Sequence, residues 1–315
     1  MDTGVESVKK AKKRSGTAIN EISRTSNAVI TVVLILVAVL VLAPVVLMIC
    51  ISFSSSASIT SNGYRFIPEE WSLEGYRYLL KMGDQLLKSY LVTIAYSVLG
   101  TALGVFLMSM YAYVIMQKSF RYHRALTWFM FFTMLFSGGL VPTYIMIVRY
   151  YHMKDTFWIL LFTGLVDAYL IVILRTFIKT TIPDALMDAA KIDGAGHFTT
   201  YFEIVLPLSK AGLGTAALFS FVAKWNDWFT GMLYIVNPDL VPLQTLLTKL
   251  QKSVDFLKQN ARAAATTDGL QLLKTLPSTN LRMACTVIAI IPVLFAYPFF
   301  QRFFVRGLTV GSIKE

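Results

Sequence analysis

Cysteine, histidine and acidic residues are scarce in this 315-residue chain, which contains 2 Cys, 3 His and 18 Asp plus Glu. Neither Cys50 and Cys285 nor the three histidines, His123, His152 and His197, have the spacing of a metal site. No nucleophile–base constellation of the kind that a membrane-embedded enzyme needs can be assembled from so few groups. The sequence also has no G-x4-G-K-[ST] loop to bind the phosphates of ATP. We therefore predict no catalytic residues, no metal site and no cofactor bound by this chain.

Apolar residues, by contrast, make up 56% of the chain, and its mean hydropathy is +0.60. They stand in long unbroken runs that no water-soluble fold needs. In lipid the backbone must be paired within helices or a closed barrel, and barrel strands would alternate over about 10 residues, which these runs do not. The sequence therefore predicts an all-α membrane protein with six transmembrane helices of about 20 residues each. The predicted spans are 28–51, 89–117, 125–148, 156–174, 211–236 and 283–301.

The distribution of basic residues predicts the orientation of these spans. Six crossings place both termini on one side, and a basic tail, residues 1–27, precedes the first span. The segments on that side carry somewhat more Lys and Arg than the others, and basic loops face the cytoplasm. We predict cytoplasmic termini in a multi-pass protein of the bacterial plasma membrane. The net charge of +11 suits anionic lipid headgroups rather than nucleic acid, because the basic residues are scattered along membrane flanks.

A cleaved signal peptide is the alternative interpretation of the first apolar run. Basic residues precede this run, and the small residues 54–58 follow it as they would at a cleavage site. The run covers residues 28–51, however, whereas the core of a signal peptide has roughly 7–15 residues. We therefore predict that it is retained as a span.

A polar island, DALMDAAKIDGAGHFTTYFEIVLPL at 184–208, separates the fourth and fifth predicted spans. Thr181, with Asp184 three residues later, predicts the start of a helix. Gly194 and Gly196 predict its end after about three turns, far short of the ~20 residues that cross a bilayer. A short helix on a basic loop between spans is a structure that a soluble partner can bind.

The spacing in this island resembles the EAA loop of permease subunits in binding-protein-dependent ABC importers, EAA-x3-G-x9-I-x-LP. The matching positions are Asp188 in place of the usual Glu, Ala189, Ala190, Gly194, Ile204, Leu206 and Pro207. The resemblance continues from about residue 68 to the end of the chain, and within carbohydrate-class permeases it points to the LplC/YtcP branch. The fragments that carry it are IPEEWSLEGYRYLL, GGLVPTY, DTFWILL, KWNDWF, VPLQ and YPFFQRFFVRGLTVGSIKE. Lys210 and Ala211 depart from the pattern, since a proline usually follows LPLSK.

This resemblance implies a type I (MetI-like) permease fold and a set of partners. The chain would form a heterodimer with a second homologous permease subunit and enclose half of an alternating-access pathway for a sugar or oligosaccharide. Two ABC ATPase subunits would use ATP and Mg, and an extracellular solute-binding protein would deliver the substrate. A permease for another solute, such as a polyamine or a peptide, is the alternative.

In that family the helix of the EAA loop docks in a groove of the ATPase and carries its motion to the spans. Asp188 would pair with an arginine of the partner, and small residues such as Ala185 would allow close approach. The ATPase-coupling residues implied by the resemblance are Asp188, Ala189, Ala190, Asp193, Gly194, Ile204, Leu206 and Pro207.

Ionisable side chains within spans are costly, so they are candidates for function. Lys224 and Asp227 lie three residues apart on one helix face, where they could simply pair with each other. Alternatively, the polar groups and tryptophans around them border the substrate path, because sugars present hydroxyl groups and apolar ring faces. Both interpretations remain open. The substrate-path candidates are Asp167, Trp225, Asn226, Asp227 and Trp228.

The sequence also predicts a kink, a close helix contact and an amphipathic helix outside the membrane. Residues 137–139 and Pro142 favour a kink in the third span, and Gly100 and Gly104 have the spacing of a close helix contact. The external segment 237–282 is predicted to contain an amphipathic helix, and the resemblance implies that it reaches the binding protein. Its apolar repeat consists of Leu243, Leu246, Leu247, Leu250, Val254 and Leu257.

The predicted organisation is thus a tail, 1–27, followed by a transmembrane permease domain, 28–315. A cytoplasmic coupling loop, 181–208, and an external loop, 237–282, belong to the domain. A secondary transporter would show internal repeats with interrupted helices in matching positions, and we find no such repeat.

Overall fold

The computed structural model describes residues 23–259 and 278–310, and within these ranges the regular elements are helices. A single β-bridge joins Ser54 to Trp71. The all-α class is therefore confirmed. The helices are α1 Arg24–Ser52, α2 Ser56–Asn62, α3 Glu74–Lys81, α4 Gly83–Met116, α5 His123–Leu135, α6 Leu140–Tyr150, α7 Phe157–Phe162, α8 Ala168–Thr181, α9 Asp184–Ile192, α10 His197–Leu208, α11 Lys210–Trp225, α12 Phe229–Tyr234, α13 Leu243–Gln259 and α14 Ser278–Val310.

Three helices, α1, α4 and α14, are each long and apolar enough to cross a membrane. They correspond to the first, second and sixth predicted spans. Two pairs of helices reach the necessary length only together and are sharply bent, α5 with α6 by 111° and α10 with α11 by 78°. Gly139, with φ +83°, lies at the first bend and directly precedes α6, which contains Pro142. The predicted kink in the third span is thus a full change of chain direction.

The fourth and fifth spans were predicted as continuous helices, and this is wrong. In the fourth, α7 and α8 are separated by residues 163–167, and in the fifth, α11 and α12 are separated by residues 226–228. Asp167 and Asp227 lie in these two breaks, where each carboxylate accepts the first N–H groups of the following helix. Aspartate is a preferred residue at such positions because its side chain replaces a missing backbone acceptor. Hydrophobicity alone does not reveal the breaks.

Helix α4 passes through two apolar cores. Its first half, including Tyr96, packs with α7, α13, α14 and the end of α11, whereas its second half, including Met108, packs with α5, α8, α9 and α10. Gly100 and Gly104 lie between the two halves. A Cβ atom at Gly100 would collide with the side chain of Lys224, and one at Gly104 would collide with the carbonyl oxygen of Leu165. The predicted close contact at this glycine pair is confirmed.

Helix α1 stands apart from these cores. Its most apolar stretch has no buried residues, and only its C-terminal end, with Ile51 and Ser52, is buried, where the helix packs against α14. Both cysteines are free, with Cys285 buried and Cys50 half-buried, so they form no disulfide. The predicted basic tail lies outside the described residues except for its last few positions.

The amphipathic helix predicted in the external segment is α13. Leu243, Leu246 and Leu247 are buried in the first core, and Leu250 packs against it. The predicted apolar positions Val254 and Leu257 lie outside the described side chains, and residues 260–277 lie outside the described part of the chain.

Candidate functional site

The short helix α9 ends in a hydrogen-bonded turn that requires glycine. Gly194 has φ +80°, a conformation that residues with a Cβ rarely adopt. Its N–H donates to Lys191 O at 3.1 Å, and Ala195 N–H donates to Ala190 O at 2.9 Å. This pair of bonds is the Schellman motif, which satisfies the last carbonyl groups of a helix. Asp193 occupies the C-cap position directly before the glycine. The spacing from Asp188 to Gly194 therefore fixes the length of α9.

The start of α9 differs from the prediction. Thr181 is not the capping residue, because α8 continues as a helix to Thr181 itself. Pro183 occupies the N-cap position without a side-chain hydrogen bond. A proline drives the residue before it into extended geometry, so Ile182 ends one helix and Asp184 begins the next. The two helices thus meet at a sharp corner.

One face of α9 is exposed, while the other packs on its own chain. Asp188 and Ala189 are exposed, and Met187 and Ala190 are buried. Of the small residues of α9, Ala185 and Ala189 are exposed to a partner, whereas Ala190 faces inward. Asp188 forms an ion pair with Lys191 at 3.4 Å, and both side chains are more than half exposed. Such surface pairs contribute little, so Asp188 can exchange this partner for another at small cost.

Two exposed apolar residues beside α9 were not predicted as functional. Ile192 is 86% exposed and Phe198 is 72% exposed, although both lie in a polar loop between spans. Exposed apolar side chains at such positions are candidates for contact with another protein or with lipid. The signal in the sequence was the presence of these residues on either side of Gly194, within an otherwise polar island.

The second half of the loop is anchored to the core through one of its faces. In α10, Tyr201 and Val205 are buried, and the hydroxyl groups of Tyr201 and Ser109 of α4 are 2.7 Å apart. Ile204 and Leu206 are half-buried and Pro207 is exposed. The end of the loop and Met187 of α9 therefore pack on the same core as α4 and α8.

Lys224 and Asp227 do not pair with each other. Lys224 is buried, and its ammonium group donates to the carbonyl oxygens of Leu161 and Thr163 at 3.0 Å each. Asp227 instead accepts the N–H groups of Phe229 and Thr230 at 3.1 and 3.0 Å. Both side chains therefore satisfy backbone groups at the breaks between helices, which lipid cannot do.

The two tryptophans named as substrate-path candidates do not lie on one face. Trp225 is only 1% exposed, and its indole N–H donates to the carbonyl oxygen of Ala289 in α14 at 3.0 Å. Trp228 is 40% exposed. The break at 226–228 turns the second ring away from the first. Asp167, the remaining path candidate, accepts from Tyr169 N–H at 2.7 Å and thereby caps α8.

A cleft of about 340 Å³ opens beside Asn226, between α13 and α14. Clefts that bind small molecules have volumes of roughly 300–1,000 Å³. Its polar groups are uncharged amides and hydroxyls, and the amide of Gln244 lies 3.4 Å from that of Asn226. The remaining polar residues of the cleft, which the sequence alone did not reveal, are Thr248, Gln251 and Thr286.

At the same end of α4 as this cleft, Asp155 joins two loops. Its carboxylate accepts the N–H groups of Val236 and Asn237 at 2.8 and 2.7 Å, and its own N–H donates to Tyr234 O. These two donors hold the pKa of Asp155 below its usual range, with a smaller effect from Lys154. Asp155 therefore fastens the loop before α7 to the loop after α12.

Comparison with known proteins places this architecture among transport proteins. The family profile described as "Binding-protein-dependent transport system inner membrane component" matches residues 100–310. The polygalacturonan/rhamnogalacturonan transport system permease protein YtcP of Bacillus subtilis (strain 168) is 34% identical over 267 residues, 85% of this chain and 90% of that protein. Protein LplC of the same organism is 32% identical over 263 residues, 84% of this chain and 86% of that protein.

A solved structure has the same fold. It is the crystal structure of a bacterial ABC transporter involved in the import of the acidic polysaccharide alginate. Its matching chain has a TM-score of 0.73 and 26% identity, over 90% of this chain and 99% of that one. The helical fold is therefore that of MetI-like permeases.

The matched region contains α9, the bent pair of α10 and α11, and α14. The resemblance predicted from the loop spacing is confirmed, and with it a multi-pass location in the plasma membrane. ATP hydrolysis belongs to a separate subunit of such transporters. The chain belongs to the family of binding-protein-dependent transport system inner membrane components.

Proposed function

We propose that this chain forms half of an alternating-access pathway for a sugar or oligosaccharide in an ATP-driven ABC importer. The observation that carries this proposal is the exposed face of α9, on a loop that packs against the same core as α4. The transport systems to which YtcP and the alginate transporter belong support a saccharide as the substrate.

The proposed assembly contains a second homologous permease subunit, two ABC ATPase subunits and an extracellular solute-binding protein. ATP and Mg are used by the ATPase subunits, and this chain binds no cofactor of its own. Support for the second permease comes from α1, whose exposed apolar side chains need either lipid or another helix as cover.

The proposed topology has six crossings with both termini in the cytoplasm. In this topology α5 with α6 forms the third crossing, α7 with α8 the fourth, and α11 with α12 the fifth. Helix α4 has 34 residues and is therefore about 51 Å long. Its first half packs with α13 and its second half with α9 and α10, so these elements lie towards opposite ends of α4. This arrangement supports the division into a domain, 28–315, with loop 181–208 inside and loop 237–282 outside, preceded by tail 1–27.

The coupling mechanism follows from the two faces of α9. Asp188 would exchange Lys191 for an arginine of the ATPase, while Ala189 allows the two surfaces to approach closely. Ile192 and Phe198 would be buried in the same contact and give it an apolar anchor. Closure of the ATPase subunits would then push α9 against the core beneath Met187, and this core includes α4 and α8.

The proposed substrate path passes the cleft between α13 and α14. Asn226 presents its amide there, and Trp228 stands exposed two residues further on. Asp227 and Asp167 contribute indirectly, because they fix the helix starts at the two interruptions. Trp225 supports this wall from within the core.

The experiment is to replace Asp188 with alanine and to reconstitute the whole importer in liposomes. We expect saccharide uptake and substrate-stimulated ATP hydrolysis to fall about tenfold together, because a charge-assisted contact contributes roughly 1.5–3 kcal/mol. Glu203→Ala, which removes another exposed carboxylate from the same loop, is the matched control and should leave both rates unchanged. Unchanged rates in Asp188→Ala would remove this residue from the coupling contact.

A further inference from the structure

Lys252 of α13 lies over the indole ring of Trp228, with its ammonium nitrogen 4.9 Å from the ring centre. The ring is held at its backbone, because the hydroxyl group of Thr245 donates to Trp228 O at 2.9 Å. A cation at this distance is attracted to the face of the ring. The two side chains therefore form a pair, one aromatic and one positively charged.

The ammonium group of Lys252 has no carboxylate partner in the described part of the chain. Asp227, adjacent in sequence to the tryptophan, is occupied as the cap of α12. Asp255, one turn beyond Lys252 on α13, forms an ion pair with Arg282. The nearby acidic groups are thus already engaged, while Lys252 remains exposed.

Residues close to this pair in the chain line the 340 Å³ cleft. Thr248 and Gln251 line the cleft, and Lys252 follows them on the same side of α13, four residues after Thr248. Asn226 lines the cleft and lies two residues before Trp228 in the sequence. One continuous surface therefore offers uncharged hydrogen-bonding groups, then an aromatic ring, then a positive charge.

We propose that Trp228 and Lys252 form a subsite for a sugar unit that carries a carboxylate, and that the amides and hydroxyls of the cleft bind the neighbouring unit. The apolar face of the sugar packs on the exposed part of the indole ring, and its carboxylate accepts a charge-assisted hydrogen bond from Lys252. This inference rests on the proposed saccharide function and narrows it to acidic oligosaccharides.

The test uses the complete importer in liposomes, with trimers of galacturonate or mannuronate and their neutral methyl esters as substrates. For Lys252→Gln we expect the half-saturating concentration of an acidic trimer to rise about tenfold, and that of its methyl ester to stay unchanged. Lys249→Gln, one turn away on the same helix, is the matched control and should change neither. Trp228→Leu should weaken uptake of both forms, because it removes the stacking surface.

Two results would overturn the proposal. One is an equal effect, or no effect, of Lys252→Gln on the acidic trimer and its ester. The other is a wild-type importer that takes up the neutral esters but neither acidic trimer. Failure to import any saccharide, in an importer that still hydrolyses ATP, would instead contradict the proposed function on which this inference rests.

Discussion

At the scale of single residues, the polar side chains at the interruptions of the apolar helices serve the backbone. Lys224 donates to two carbonyl oxygens beyond the end of α7, and Asp167 and Asp227 accept the first N–H groups of the helices that follow each break. An unpaired backbone group in a dry environment costs about 1–3 kcal/mol, so these three residues make the interruptions tolerable. Gly100 belongs to the same arrangement, because its missing side chain leaves room for the lysine.

The first prediction is a coupling between Gly100 and Lys224. Gly100→Ala should destabilise the protein, because the new methyl group would lie 2.6 Å from Cε of Lys224 and displace its ammonium group. Lys224→Ala should also destabilise it by about 2 kcal/mol or more, by leaving two carbonyl groups unpaired. The double variant should be less destabilised than the sum of the two, because the alanine then enters vacated space. Thermal unfolding of the purified complex measures the stability of the two single variants and of the double variant.

Gly104→Ala is the control for this cycle. Its methyl group would collide with the backbone oxygen of Leu165, and no change at Lys224 relieves this collision. The destabilising effects of Gly104→Ala and Lys224→Ala should therefore add. A Lys224→Ala, Asp227→Leu double variant should be no better than Lys224→Ala alone, since the two charges are not partners. Recovery of stability in that variant would contradict the assignment of Lys224 to the carbonyl groups.

The second prediction concerns pH and Asp155. Because two N–H donors lower the pKa of its carboxylate, the stability that it contributes is complete above the unfolded pKa, about 3.9, and is lost as pH falls through the lower folded value. Asp155→Asn keeps an acceptor oxygen and tolerates the positive φ of this position, but it cannot ionise. The thermal midpoint of this variant should lie below that of the wild type at pH 7 and meet it at pH values well below 4. A difference that persists unchanged in acid would contradict this role.

At the scale of elements, the length of α9 is determined by its end rather than by its start. No side chain caps its first turn, whereas the Schellman turn at Gly194 closes its last. The sequence pattern of the loop therefore specifies where the exposed face stops and where Ile192 is presented.

The third prediction tests this termination. Gly194→Ala should destabilise the loop by about 1 kcal/mol, because alanine is disfavoured at φ +80° although no atom obstructs its methyl group. Gly194→Asn should be milder, since asparagine also occurs at this helix position. Gly196→Ala is the matched control, because Gly196 has φ −71° and open space around it. Hydrogen exchange of the amide groups of α9 reports the local stability, and equal exchange in the two alanine variants would refute the argument.

At the scale of the whole molecule, the loop with α9 and the loops around Asp155 lie towards opposite ends of α4. In the proposed topology they face opposite sides of the membrane. The fourth prediction is that Lys191→Cys reacts with an impermeant thiol reagent in inverted vesicles and not in intact cells. Lys154→Cys, in the loop before α7, should show the reverse pattern.

Both cysteine variants are best made in a Cys50→Ser background, because Cys50 is half-buried and free whereas Cys285 is fully buried. Replacing Cys50 leaves the introduced thiol as the accessible one among the described residues. Labelling of both variants from the same side would overturn the proposed orientation.

Sequence reasoning succeeded where one physical signal dominates. Unbroken apolar runs located α1, α4 and α14, and the spacing from Asp188 to Pro207 identified the family. It failed at residues 163–167 and 226–228, because a helix that is interrupted and capped within an apolar run has the same composition as a continuous one. It also named Trp225 beside Trp228 as a path candidate, but the break between them leaves Trp225 buried and only Trp228 exposed.

The bond from Lys224 to main-chain oxygens has a consequence for sequence variation. Leu161 and Thr163 contribute carbonyl groups, which almost any amino acid would supply equally well, so their side chains are free to change without weakening the bond. The identity of the side chain matters only at position 224, because only a long cationic side chain such as that of Lys224 reaches both oxygens. In a library of random substitutions, we therefore expect functional variants with many different residues at Thr163 and almost none with a replacement at Lys224.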